Sequence, residues 1–570
     1  MKLVLKTKLF FVITLAFIAL PFFVFAEDFY VDSDYDAQER EEISADLKYR
    51  SNDAYFYVED DWWGDLSSNQ KASANTKLTE LGEEFDNVIY PQLTDIYGEE
   101  WNPGIDSNRR VTVIFTQMQE NAGGYFRNID EYRKIQVPES NQREIVYLNV
   151  QVLFSNVAEA YLAHEFTHLI TFNQKNRLQR IEEDVWLNEL RAEYAPTLLG
   201  YDSPYEETNL EKRIDYFILS PSDSLTEWKS EERDYGIINI FAQYLVEHYG
   251  VEILTDSLRS PYVGIASLNY ALALNGFDKK MDQIFLDFLV TVLINDCDLG
   301  EEYCFSEEPL NYIRIAPNLL YLPSTQQASM SLVYAIKQWS GHWYKVIGGG
   351  KGLEVDFASL SDKNFNVAYL IQRNNKAEEV KFLELDDEQK GTIALPYFSQ
   401  NNQSLIIIPL VSEKITDFSD SEPFWRFSLD IRTVESSQDS DDVDNGGVED
   451  KPISELTIEE LEQRIAEIIG LINALKQEIA KLGSCSTIDN NLYYGLRSNN
   501  GVKCLQQFLN EQGFYPEGII SGNFLELTKQ AVIKFQEEYY NEILAPLGIE
   551  NGTGYVGSST REKINQLLTQ

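Results

Sequence analysis

The sequence predicts a multidomain chain: a mixed α+β unit, a β-sandwich, a helical coiled-coil spacer and a small three-helix unit. Three observations predict it. At 570 residues the chain is too long for a single hydrophobic core. Apolar periodicity changes from helical spacing to short alternating strands near residue 319. An acidic stretch with no apolar pattern, ESSQDSDDVDNGGVEDKP, then separates this part from further helical patterns.

Composition is that of a globular protein, 44% hydrophobic and 13% aromatic. A formal net charge of −45 excludes nucleic acid and bare anionic surfaces as partners. Lys2, Lys6 and Lys8 precede an apolar run from Leu9 to Phe25, and Val24 and Ala26 sit at small-residue positions before Glu27. This is the pattern of a secretory signal peptide over 1–26. An uncleaved membrane anchor is the alternative, because the run nearly suffices to span a bilayer. The expected location is secreted or cell-wall associated. The four cysteines form two local pairs, Cys297 with Cys304 and Cys485 with Cys504. An even count outside the cell suits two short disulfide loops.

Residues 27–318 carry the mixed signals of the first unit. KLTELGEEFDNVIYPQLTDIYG has helical spacing, while RRVTVIFTQM and REIVYLNVQV are strand-like. Between these strands GGYF, Gly123 to Phe126, permits a tight turn. Residues 155–295 read as helical, with helices stopping at Gly200 and Gly250. Over 319–434, HWYKVIG, FNVAYLIQR, QSLIIIPLV and WRFSLDIR predict the β-sandwich. The acidic linker spans 435–454, and its aspartates match no calcium-loop spacing.

The spacer, 455–483, opens with a capping box, Thr457 with Glu460. Ile458, Leu461, Ile465, Ile468, Ile472, Leu475, Ile479 and Leu482 alternate at three and four residues. That heptad seam suits a parallel homodimer, or a lone helix packed on its neighbour. Residues 484–570 show three helical patterns, around Val502–Leu509, Thr528–Gln536 and Thr560–Leu568. Thr528 and Thr560 are placed to cap the second and third.

HEFTHLITFNQ, residues 164–174, contains two of only four histidines. On a helix, residues i and i+4 lie about 40° apart around the axis. His164 and His168 can therefore point at one ion. Glu165, about 100° round, can reach a water beside that ion without coordinating it. Catalytic zinc needs this combination of few ligands, an open position and a nearby base. By itself HExxH is a modest signal, and two histidines satisfied by carbonyls would also fit.

Twenty residues intervene between His168 and Glu189, which WLNELRAEY supplies together with Glu193 one turn on. The two segments together resemble the gluzincins, metallopeptidases of zincin-like fold whose third zinc ligand is a glutamate. They look most like the hyicolysin-type secreted enzymes. The resemblance implies Zn2+ held by His164, His168 and Glu189, with Glu193 accepting the free N–H of His164. A metzincin would need glycine at 171 and histidine at 174, where this chain has Thr171 and Gln174. Leu190 departs from the glycine common in relatives and is expected to narrow the cleft wall.

The mechanism implied is hydrolysis of a peptide bond through a zinc-bound water, with Glu165 as general base. A further donor must stabilise the oxyanion. Tyr235, opening a later helix, is the candidate by resemblance to the aminopeptidase branch; His248 is the runner-up, and His342 has no evident partner. The strand REIVYLNVQV is expected to be the edge to which an extended substrate adds.

The tail resembles the three-helix peptidoglycan-binding repeat of cell-wall hydrolases, on VKCLQQFLNEQGFY, SGNFLELTKQAVIKFQ and GYVGSSTREKINQLL. The expectation is a secreted zinc metalloendopeptidase acting on polypeptide and tethered to peptidoglycan or another wall glycan. The rivals are a wall hydrolase cutting peptidoglycan crosslinks and a catalytically decayed adhesin.

Overall fold

The structure is a computed structural model. It describes residues 26–434 except 204, 324–327, 351, 374–375, 397, 399–402 and 414–421. It also describes 487–568 except 489, 495, 497–498, 516–519, 521, 548 and 550. The expected signal peptide, acidic linker, heptad spacer and Cys485 fall on or largely on residues outside that description. The described residues belong to two compact units, divided between Ser437 and Gln438. Among them no helix is long and apolar enough to cross a membrane.

The first unit opens on six strands: β1 (Glu27–Tyr30), β2 (Glu42–Arg50), β3 (Ala54–Glu59), β4 (Val111–Thr116), β5 (Gly124–Phe126) and β6 (Ile145–Asn149). Their spatial order is β1-β2-β3-β4-β6-β5. β3, β4 and β6 run parallel, and β5 pairs antiparallel with β6. VTVIFT and IVYLN are buried along their whole length because both faces are covered. Val113, Phe115, Val146 and Leu148 enter the helical core, while Ile114, Ile145 and Tyr147 enter a smaller core under β1 and β2.

This placement corrects two expectations. Gly123–Phe126 does not make only a turn: Gly124–Phe126 forms the outermost strand. REIVYLNVQV is therefore not the edge, since β6 is paired on both sides. A three-residue strand gives too little alternation to be seen in sequence.

Ten α-helices accompany this sheet: α1 (Asp60–Asp65), α2 (Ser68–Glu84), α3 (Tyr90–Tyr97), α4 (Ala158–Thr171), α5 (Val185–Leu198), α6 (Asn209–Leu219), α7 (Glu232–Tyr249), α8 (Glu252–Arg259), α9 (Gly264–Leu274) and α10 (Met281–Ile294). Ser67 caps α2 in a capping box with Gln70. α5 runs out at Gly200 and α7 at Gly250, both glycines with positive φ. Cys297 and Cys304 are joined just after α10.

Nine strands follow: β7 (Asn318–Leu322), β8 (Ser329–Lys337), β9 (Tyr344–Gly348), β10 (Gly352–Ser359), β11 (Phe365–Arg373), β12 (Lys376–Phe382), β13 (Lys390–Leu395), β14 (Gln403–Val411) and β15 (Phe424–Val434). They form two sheets, β13-β10-β15-β8 and β12-β11-β14-β9-β7. Val355, Phe357, Phe427 and Leu429 of the first share a core with Val346, Val367, Leu405 and Ile407 of the second. The outer face of the second is also buried. Ala368, Leu370, Ile406, Ile408 and Leu410 join the helical core. QSLIIIPLV is apolar at successive positions for that reason. Trp343 Nε1 donates to the Leu289 carbonyl of α10 at 2.9 Å, and Phe285 packs edge-on against Trp339.

Among its described residues the second unit has four α-helices: α11 (Asn500–Glu511), α12 (Glu526–Glu538), α13 (Tyr540–Ile543) and α14 (Ser558–Leu568). They surround a core of Val502, Leu505, Leu509, Val532, Phe535 and Ile564. Asn499 caps α11 through its side chain. Thr528 and Thr560 are not caps: both lie inside their helices and are buried. Each receives a glutamine instead. Gln506 Nε2 donates to Thr528 Oγ1 at 2.9 Å while its Oε1 accepts from Gly522 N at 2.9 Å. Gln536 repeats this with Thr560 at 3.0 Å and Gly554 N at 3.0 Å. The threonine serves the neighbouring helix, a contact that spacing along one helix does not reveal.

Candidate metal centre

α4 and α5 pack against each other and bring the two separated motifs together. Nε2 of His164 lies 3.4 Å from Glu189 Oε2, and Nε2 of His168 lies 3.6 Å from Glu189 Oε1. The two imidazole Nε2 atoms are 3.2 Å apart. All three ligand atoms fall within 4.8 Å of one another. Among the described residues this is the one group of three or more such side chains able to hold a metal ion.

The remaining ring nitrogens are engaged. His164 Nδ1 is 3.4 Å from Glu193 Oε1, and His168 Nδ1 is 3.2 Å from Asn188 Oδ1. Glu193 is 1% exposed, and burial opposes its ionisation. Arg213 of α6 outweighs that opposition, with Nε to Oε2 at 2.7 Å and Nη2 to Oε1 at 2.7 Å. Asn209 and Asn239 donate to Oε2 as well, and the carboxyl is held at about 2. Asn188 belongs to the Asn-Glu pair of the resemblance but carries no role from the sequence, and neither type nor spacing marks Arg213. Arg213 acts across 20 residues, from a helix whose register says only which face is apolar.

Electrostatics at the centre fit a cation. Burial pulls the His164 imidazole down, but Glu189, Glu165 and Glu193 around it win and raise it to about 9. Such a potential draws a proton or a divalent ion alike. Burial lowers His168, as a neutral ligand requires. Glu189 Oε2 is buried, with the His164 imidazole beside it and no other donor. Two imidazoles and one carboxylate are a donor set suited to zinc.

Glu165 projects from the turn that carries His164. Burial, followed by Glu189 and Glu193, pushes its carboxyl up to about 8 against the opposing pull of His164. It packs under β5: a Cβ on Gly124 would come within 2.8 Å of both Glu165 Oε1 and the Tyr147 carbonyl oxygen.

Both motifs line a cleft of about 1050 Å3. One wall is Gly123 to Phe126, and the other includes Arg213, Tyr216 and Tyr235. Tyr235 stacks under Arg213 at 4.6 Å and meets Trp228 edge-on. Burial raises its hydroxyl pKa, with Glu189 and Glu193 adding to it. Tyr35, which the sequence left without a role, reaches this cleft and stacks on Tyr125 at 4.8 Å. A smaller recess of about 360 Å3 lies beyond Phe126 and His168, lined also by Phe172 and Val185.

Other expectations are placed elsewhere. His248 Nε2 meets the Cys304 carbonyl at 3.0 Å and does not line the cleft. His342 lies between β8 and β9, also outside it. Leu190 is fully buried in the helical core and narrows no wall, since its side of α5 faces away from the ligands.

Residues 498–564 match the family of the peptidoglycan binding domain. No curated protein matches the chain. Similar solved structures include the pre-peptidase C-terminal domain of collagenase from Bacillus anthracis. It has 6% identity and a TM-score of 0.13, over 20% of this chain and 94% of that one. Another is PliG of Aeromonas hydrophila, a periplasmic inhibitor of g-type lysozyme. It has 14% identity and a TM-score of 0.14, over 20% and 98% of the two chains. Neither likeness assigns a fold or a role. The family match is what supports cell-wall glycan binding, and it does so for the C-terminal unit, residues 498–564.

Proposed function

We propose that the first unit is a zinc-dependent metalloendopeptidase and that the C-terminal unit holds it at the cell wall. The observation that carries this reading is the convergence of His164, His168 and Glu189 within 4.8 Å, with Glu165 on the same cleft. Zinc bound by these three residues supplies a Lewis acid that activates water and polarises a carbonyl.

The chain's own groups do the rest. Glu165, on the same cleft as the three ligand side chains, takes a proton from the attacking water in its ionised form and returns it to the leaving amine. Glu193, kept ionised by Arg213, fixes the orientation of His164. Tyr235, which keeps its phenolic proton, donates a hydrogen bond to the oxygen on which charge develops. The outer edge of β5 offers main-chain groups to which an extended polypeptide adds. The recess beside Phe126 and Phe172, lined also by Asp32, Arg127 and Glu182, receives a side chain next to the bond cut.

Metal analysis of the purified full chain, with a casein assay with and without chelator, tests this. About one zinc per chain and activity restored by zinc are expected. A chain that binds no zinc, or digests casein equally well in chelator, refutes the reading. The peptidoglycan-binding match favours one second reading, a wall hydrolase that cuts peptide crosslinks with the same residues. Fragments released from purified wall but not from denatured protein would select it.

A further inference from the structure

Two glutamates far from the ligand helices in sequence are buried without a counter-charge. Glu131 closes the short 3-10 turn Asn128–Glu131 that follows β5, and it is 3% exposed. Neither of its carboxylate oxygens meets a backbone, amide or cationic donor, and its hydrogen-bond neighbour is the carboxyl of Glu144. Glu144, just before β6 and also 3% exposed, faces it. Its Oε1 accepts from the Ile105 N–H at 2.8 Å, and its Oε2 has no donor. Gly104, at φ +73°, lies against the same oxygen, where a Cβ would overlap it.

Among the described residues no lysine or arginine forms an ion pair with either glutamate. Arg127 pairs with Asp130 at 3.9 Å, and Arg143 pairs with Glu27. Asp106 and Asp130 add further negative charge around Glu131. Buried carboxylates in this situation share a proton or hold a cation. Three buried oxygens that face only one another, with no nitrogen or sulfur ligand atom among them, select a hard ion.

We propose that Glu131 and Glu144 bind one calcium ion, separate from the centre at His164, His168 and Glu189. Burial, then the facing carboxylate, pushes Glu131 well up, and burial lifts Glu144 to about 7; both signs mark a place short of positive charge. The ion would join the turn after β5 to the start of β6. It would therefore anchor the strand that forms one wall of the cleft, alongside the existing Tyr147–Asp130 and Asn141–Asp130 hydrogen bonds.

The test compares the full chain with its Glu131→Gln/Glu144→Gln variant at pH 8, by equilibrium dialysis with radioactive calcium and by thermal melts. The wild type should bind one calcium more per chain than the variant. Its melting midpoint should rise by a few degrees in millimolar calcium while the variant's stays fixed. Equal stoichiometry in the two chains, or a wild-type midpoint that calcium does not move, overturns the proposal in favour of a shared proton. If the variant does not fold, a terbium-soaked crystal of the wild type decides. An anomalous peak between Glu131 and Glu144 supports the site, and peaks confined to other places overturn it.

Discussion

Arg213 has no ligand role, yet His164 depends on it through Glu193. Replacing it with leucine leaves a buried carboxylate with only two amide donors. Zinc affinity should fall about 10- to 100-fold, measured by competition with a chromogenic chelator. Unchanged affinity would make Arg213 a packing residue. Glu165→Gln keeps size and burial but removes the base. Zinc content should be retained and casein hydrolysis lost by at least about 10³-fold. Substantial residual activity would place the base elsewhere. His342 gives a stability prediction. Burial pushes its imidazole down to about 4, whereas in the unfolded chain it titrates near 6.5. The unfolded chain then binds more protons between these values. The stabilisation is present above about pH 6.5 and is lost as pH falls toward 4. His342→Gln should flatten that limb in melts recorded across the interval. The relation of His164 to His168 was legible because one helical turn fixes it. Arg213 was not, because its partner is chosen by packing between helices.

At the scale of elements, β5 is the least legible part, and it lies over Glu165 at the candidate metal centre. Three residues, one of them glycine, carry no usable period. Their position became visible only when β6 took partners on both sides. Gly124→Ala tests the fit of this strand over the base. The added methyl meets Glu165 Oε1 and a carbonyl at 2.8 Å, so Glu165 must shift. Hydrolysis should fall about 10²-fold with zinc content unchanged. Wild-type rates in that variant would show that the wall yields freely. The glutamine pair of the second unit teaches a related lesson. The helices were legible from apolar spacing, but the threonines read as caps are seats for Gln506 and Gln536.

At the scale of the molecule, the peptidoglycan-binding match and the candidate metal centre lie in different compact units. Deleting residues 438–570 should abolish sedimentation with purified wall and leave casein hydrolysis within about twofold. Loss of solution activity would mean that the units cooperate in catalysis itself. The break near residue 319 was legible as a change of period, from 3.6 to 2. That the two kinds of architecture share a core was signalled only by the unbroken run LIIIP in β14.

β14 carries a consequence of its own. Ile406 and Ile408 belong to one core, and Leu405 and Ile407 to the other. Neither layer can come apart without stripping this ribbon of its cover and leaving a greasy surface in water. Heat should therefore dismantle both layers in one calorimetric peak. A lesion in the distant layer, nowhere near the histidines, would silence the protein as surely as one beside them.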